Sequence, residues 1–170
     1  VNSREVVRAL GEQAPEVHLL DARALGIDDR RLRERARALT TTSGTEHVSR
    51  SYRYPYALVG WHTDRIGIDI ERIAPFDPAF ADLICTPDER SELASISNPD
   101  TVLASLWCSK EALAKGLGDA LLYNPARLES PARWRDRRSG PWRAAQLDLV
   151  PGHVAWLCWH ESRLLGEYPS

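Results

Sequence analysis

The chain has 170 residues, 43% of them hydrophobic and 27% charged, which suits one globular domain or two small fused ones with a buried core. A net charge of −2 argues against a general nucleic-acid binder, and no apolar run reaches the roughly 18 to 20 residues that span a bilayer. The N-terminus shows no basic region followed by an apolar stretch and a cleavage site, so a soluble, cytoplasmic protein is expected.

In chain order, Val17 to Leu20 reads as a short strand. Asp28 to Leu39 reads as a helix with Leu32, Ala36 and Leu39 on one face and five arginines around the remainder. Thr40 to Thr45 is polar and reads as a loop. Tyr56 to Trp61 and Arg65 to Glu71 are rich in β-formers and flank His62-Thr63-Asp64, which predicts a hairpin. Thr86-Pro87-Asp88-Glu89 is a capping box with proline at the first helical position, opening a helix to about Ile96. Thr101 to Lys115 predicts a longer helix stopped by Gly116 and Gly118. Pro125 to Pro141 is loop-like and basic, and Trp142 to Val150 and His153 to His160 close the chain as two strands around Pro151-Gly152.

Three acids stand out. In the strand ending at Glu71, Ile66, Ile68 and Ile70 alternate with Gly67, Asp69 and Glu71, so the isoleucines face a core while both carboxylates project from the opposite face. Two acids side by side repel unless a cation, a proton or a basic partner lies between them, and carboxylate oxygens are the hard ligands magnesium prefers. On the long helix, Trp107, Glu111 and Lys115 fall at successive i+4 steps and share a face. Of 22 basic residues only Lys110 and Lys115 are lysines, both in this segment, where a compact, strongly hydrated ammonium replaces the planar fork used elsewhere. Cys85, Cys108 and Cys158 are too dispersed for a zinc site or a disulfide framework and read as buried thiols.

Gly67-Ile68-Asp69-Ile70-Glu71, followed about forty residues later by Trp107-Cys108-Ser109-Lys110-Glu111-Ala112-Leu113-Ala114-Lys115, closely resembles the two signature motifs of the 4′-phosphopantetheinyl transferases. The resemblance runs from about Ser49 to the C-terminus and includes Thr86 to Arg90. It implies an α+β fold of two small subdomains, each an antiparallel sheet packed against helices: a reduced one over residues 1–48 and one over 49–170 that carries the motifs. The longer, monomeric branch of the family, which activates surfactin-type synthetases, is the nearer likeness. A monomer is expected, with a dimer as the alternative.

Residue by residue, the resemblance implies that Asp69, Glu71 and Glu111 bind magnesium, with manganese as the alternative, and that Lys115 contacts the phosphates of coenzyme A. Lys110 and Trp107 match residues that shape and charge the same cleft, and Glu89 matches a carboxylate that holds a metal-bound water. Ser51-Tyr52 stands where the longer branch has Ser-His, whose histidine is expected at the 3′-phosphate. Tyrosine carries no positive charge there, which leaves Arg50, Arg53 or the arginines of the first helix as substitutes.

The implied reaction moves 4′-phosphopantetheine from coenzyme A to a serine of an acyl or peptidyl carrier protein in fatty-acid, polyketide or nonribosomal peptide synthesis. Glu111 is the first candidate to accept the serine proton and Glu89 the second. No nucleic acid or membrane is implied. Carrier recognition is expected at apolar and basic surface near the cleft, with Arg127 to Arg143 a candidate. The rival readings are a non-catalytic relative that binds carrier or coenzyme A, and a metal-dependent nuclease or phosphatase built on the acidic cluster.

Overall fold

The computed structural model describes residues 14–39 and 47–162. The polar stretch read as a loop before Thr45 lies outside them. The described elements run β1 (Glu16–Asp21), α1 (Ala22–Leu25), α2 (Asp29–Ala38), β2 (His47–Arg53), β3 (Tyr56–His62), β4 (Ile66–Arg72), α3 (Pro78–Ile84), α4 (Pro87–Ala94), α5 (Pro99–Leu117), β5 (Arg138–Ser139), β6 (Trp142–Leu147) and β7 (His153–His160), with three single 3₁₀ turns between α5 and β5.

Two antiparallel sheets result, one in the order β1-β3-β2 and one in the order β4-β7-β6-β5. The predicted hairpin between β3 and β4 does not form. β3 is paired along one edge by β1 and along the other by β2, so β4 has no edge left to join and crosses to β7 instead. Ser49 to Arg53 of β2 and all of β3, which the sequence reading placed with the second subdomain, belong to the first sheet, and the chain passes between sheets at Thr63 to Arg65.

The alternation of β4 separates two cores. Ile66, Ile68 and Ile70 meet Val17, Tyr56 and Leu58 of the first sheet together with Leu157 and Trp159, forming a core between the sheets. The other face of the second sheet, through Trp142, Val154, Trp156 and Cys158, packs on Cys108, Ala112 and Leu113 of α5. On the outside of the first sheet, Leu32 and Ala36 of α2 cover Ala57, Val59 and Trp61. Each fully buried aliphatic side chain contributes about 1.5–3 kcal/mol, so these three apolar layers supply most of the driving force.

The helices begin where the sequence marks them. Asp28 accepts the Arg31 N–H to open α2, and Thr86 and Glu89 complete both halves of the capping box of α4. α3 was not foreseen, and α5 runs two residues past Lys115. Gly116 does not end the helix but lies inside α5, where a β-carbon would stand 2.9 Å from the Trp142 ring, and the helix stops at Gly118 with φ of 87°. All three cysteines are free and buried.

Candidate active site

The site forms at the seam where β4, the edge strand of the second sheet, meets β2, the edge strand of the first, under α5. An edge strand leaves outward-facing backbone groups that need partners. Ser49 Oγ accepts the Ile68 N–H at 3.0 Å, Ser51 Oγ accepts the Ile70 N–H at 3.2 Å, and Lys115 Nζ donates to the Ile68 carbonyl at 3.1 Å. Gly67 brings the helix down onto this edge: a β-carbon there would lie 1.7 Å from the Ala112 carbonyl oxygen.

Asp69 is 3% exposed. Its Oδ1 accepts from Ser51 Oγ and from Lys115 Nζ, each at 2.7 Å, while its buried Oδ2 has no hydrogen-bond partner among the described residues. Glu71 pairs with Arg53 through Oε2 and accepts from Trp107 Nε1 through Oε1 at 3.3 Å. Glu111 accepts from the Tyr123 hydroxyl.

Burial raises the Glu71 carboxyl above its ordinary range, and the Asp69 charge adds to this against the opposing pull of Arg53 and Trp107. Burial also raises Glu111, where the Tyr123 hydrogen bond opposes the rise and Asp69 adds to it. Both glutamates thus feel Asp69 as a like charge. Among the described residues no three Asp, Glu, His or Cys side chains close around a common point. Each acid turns instead to a donor of its own.

Beside Glu71 lies a cleft of about 430 Å³ walled by Arg53, Arg72, Pro75, Phe80, Leu103 and Trp107. Phe80 and Trp107 meet edge to face with centroids 5.5 Å apart. Trp107 lines this cleft and donates to one of the acids.

Other expected site residues are placed differently. Lys110 and Glu89 are both 0% exposed and form a 2.6 Å ion pair. The remaining Lys110 protons go to the carbonyls of Ile84 and Pro125, and Glu89 also accepts the N–H groups of Thr86 and Ser130. Every polar atom of the pair is satisfied internally, as burial of charge demands. The pair ties α3, α4, α5 and the following loop together, and neither residue presents a charged atom to a ligand. Ser51 orients Asp69. Tyr52 points the opposite way, against the α2 core, with the Arg33 guanidinium 4.8 Å over its ring.

Tyr123 and Arg53 complete the set. Arg53 was foreseen only as a source of charge, and Tyr123 not at all, since nothing local in Leu121-Leu122-Tyr123 signals a hydrogen bond back to α5.

A two-sheet α+β protein with acids on an edge strand and on the helix crossing it defines the class. A family-level comparison matches residues 65–168 to the 4′-phosphopantetheinyl transferase superfamily, from the start of the second sheet through the whole acidic site. The chain belongs to that superfamily. A search of curated proteins returned no match. No helix among the described residues is long and apolar enough to cross a membrane.

Proposed function

We propose that this protein transfers the 4′-phosphopantetheine group of coenzyme A to a serine hydroxyl of an acyl or peptidyl carrier protein, with magnesium held by Asp69, Glu71 and Glu111. The observation that carries the reading is Asp69 Oδ2, a buried carboxylate oxygen without a partner, flanked by two glutamates that its charge disfavours. A hard divalent cation suits this donor set: it satisfies the free oxygen and relieves the repulsion among the acids. Bound there, magnesium would supply positive charge to the pyrophosphate of coenzyme A.

The chain's own residues account for the rest. Lys115, anchored between the Ile68 carbonyl and Asp69 and partly exposed, offers an ammonium to the phosphate oxygens. Ser51 keeps Asp69 in one orientation, and Trp107 does the same for Glu71. The serine oxygen forms a bond to the β-phosphorus, the bond from that phosphorus to the bridging pyrophosphate oxygen breaks, and 3′,5′-adenosine bisphosphate leaves with the bond's electrons. Glu111, directly or through a water, takes the serine proton. Glu89, spent on Lys110 and two backbone N–H groups, is not available for that step.

The test is the mass of a purified apo carrier protein incubated with the chain, coenzyme A and magnesium. A gain of one phosphopantetheine that is absent with Asp69→Ala and with Lys115→Ala supports the reading. An unchanged carrier mass with acyl and peptidyl carriers alike overturns it, and magnesium-dependent cleavage of a phosphodiester without any carrier favours the hydrolase reading.

A further inference from the structure

The turn that follows α5 holds two leucines out in solvent. Leu121 is 97% and Leu122 90% exposed, and Leu117 at the helix end is 37% exposed beside them in sequence. Exposure of this degree on consecutive large apolar side chains is unusual where the backbone is well ordered. Here the backbone is firmly held. The Asp119 N–H bonds the Ala114 carbonyl at 3.0 Å, and the Leu122 and Tyr123 N–H groups both bond the Asp119 carbonyl, at 2.9 and 3.0 Å.

The turn is also anchored to α5 at its far end, by two consecutive residues of the helix. Glu111 accepts the Tyr123 hydroxyl, and the Lys110 ammonium takes the Pro125 carbonyl at 2.9 Å. The leucines are thus displayed by a hydrogen-bonded bracket whose next residue touches the proposed proton acceptor.

Charge narrows the kind of partner. Arg127, five residues beyond Leu122, is exposed and has no ion pair among the described residues. From there to Arg143 the chain carries six arginines against two acids, in a protein whose net charge is −2. An apolar tip followed by basic chain fits an apolar surface bordered by acidic side chains.

We propose that Leu121 and Leu122 are the docking contact for the carrier protein, seating the apolar side chains next to its acceptor serine. The proposal rests on the transferase reading, because that reaction requires a macromolecule to deliver a hydroxyl to Glu111, and this tip is the exposed apolar surface tied to that residue.

The test compares wild type with the double variant Leu121→Ser, Leu122→Ser, using a purified apo acyl carrier protein and an apo peptidyl carrier domain. Because both side chains are exposed, the variant should unfold at the wild-type temperature. The carrier KM is expected to rise about tenfold or more, with KM for coenzyme A and kcat at saturating carrier unchanged. A second measurement needs no turnover: calorimetric binding of each carrier with its acceptor serine changed to alanine should weaken equally. Arg127→Glu should weaken it further and reduce its salt dependence.

Unchanged carrier KM and binding in the double variant overturn the docking proposal. So does a wild-type dimer that the double variant dissociates, which would make the tip a contact between copies of this chain. Leucine-dependent carrier binding without any transfer would leave the docking contact standing and remove the transferase reading. Transfer that is indifferent to the leucines would do the reverse.

Discussion

The Lys115 ammonium stands 2.7 Å from Asp69 Oδ1 and 3.1 Å from the Ile68 carbonyl, so one side chain of α5 is bonded to both the side-chain and the backbone chemistry of β4. Lys115→Ala should therefore abolish transfer and also destabilise the fold. The buried Asp69 carboxylate would keep only Ser51, at a cost of about 2 kcal/mol, less than for a fully enclosed pair because the lysine is partly exposed. Lys115→Arg should restore little activity, since a planar fork does not fill the place of a compact ammonium. Chemical denaturation and the carrier mass shift measure the two effects separately.

Glu111 offers a pH signature. Its carboxyl is raised in the folded chain, chiefly by burial. The folded form therefore holds its proton more tightly than the unfolded one, and stability is lost as pH rises from the ordinary glutamate range through the raised value. Glu111→Gln, which removes that charge, should leave the ligand-free protein equally or slightly more stable at pH 7, by about 0.5 kcal/mol or less because solvent still reaches the group. The difference should close below about pH 4. Thermal denaturation across that range checks it, and a clear loss of stability at pH 7 would contradict it.

For the buried pair, Lys110→Met or Glu89→Gln alone should cost about 3–5 kcal/mol, because each strands a buried polar partner. The double change Lys110→Met, Glu89→Leu should recover little of that loss, because it still strands the Thr86 and Ser130 N–H groups and the Ile84 and Pro125 carbonyls. Chemical denaturation of the single and double variants measures this, and a double variant as stable as wild type would contradict it.

Where the governing signals are local, sequence and structure agree. The alternation of Ile66, Ile68 and Ile70 with Asp69 and Glu71, the capping box at Thr86 and the shared face of Trp107, Glu111 and Lys115 each lie within a few residues of chain. The β3–β4 hairpin was misread because strand pairing is decided by which edges are free, and β1, far back in the chain, takes one edge of β3. α3 has seven residues, too few to display a helical period.

Glu89 was legible and overlooked. A capping box commits the glutamate carboxylate to the N-cap N–H, here at 2.8 Å, which already turned it away from the proposed metal site. The Tyr123 contact had no local signal, because it depends on how the turn after Gly118 folds back over α5.

Gly67 bears on more than close packing. Asp69 and Glu71 hang from the strand and Glu111 and Lys115 from the helix, so the gap between the two backbones is the width across which these groups must reach one another. With the Ala112 carbonyl filling the space of a side chain at residue 67, that gap is narrower than any other residue at 67 would permit. One added methyl would lift α5 and widen the site everywhere at once, moving Glu111, Lys115 and, through Tyr123, the leucine tip, without altering a single reacting group. Gly67→Ala is thus a way to detune the whole site through its spacing alone.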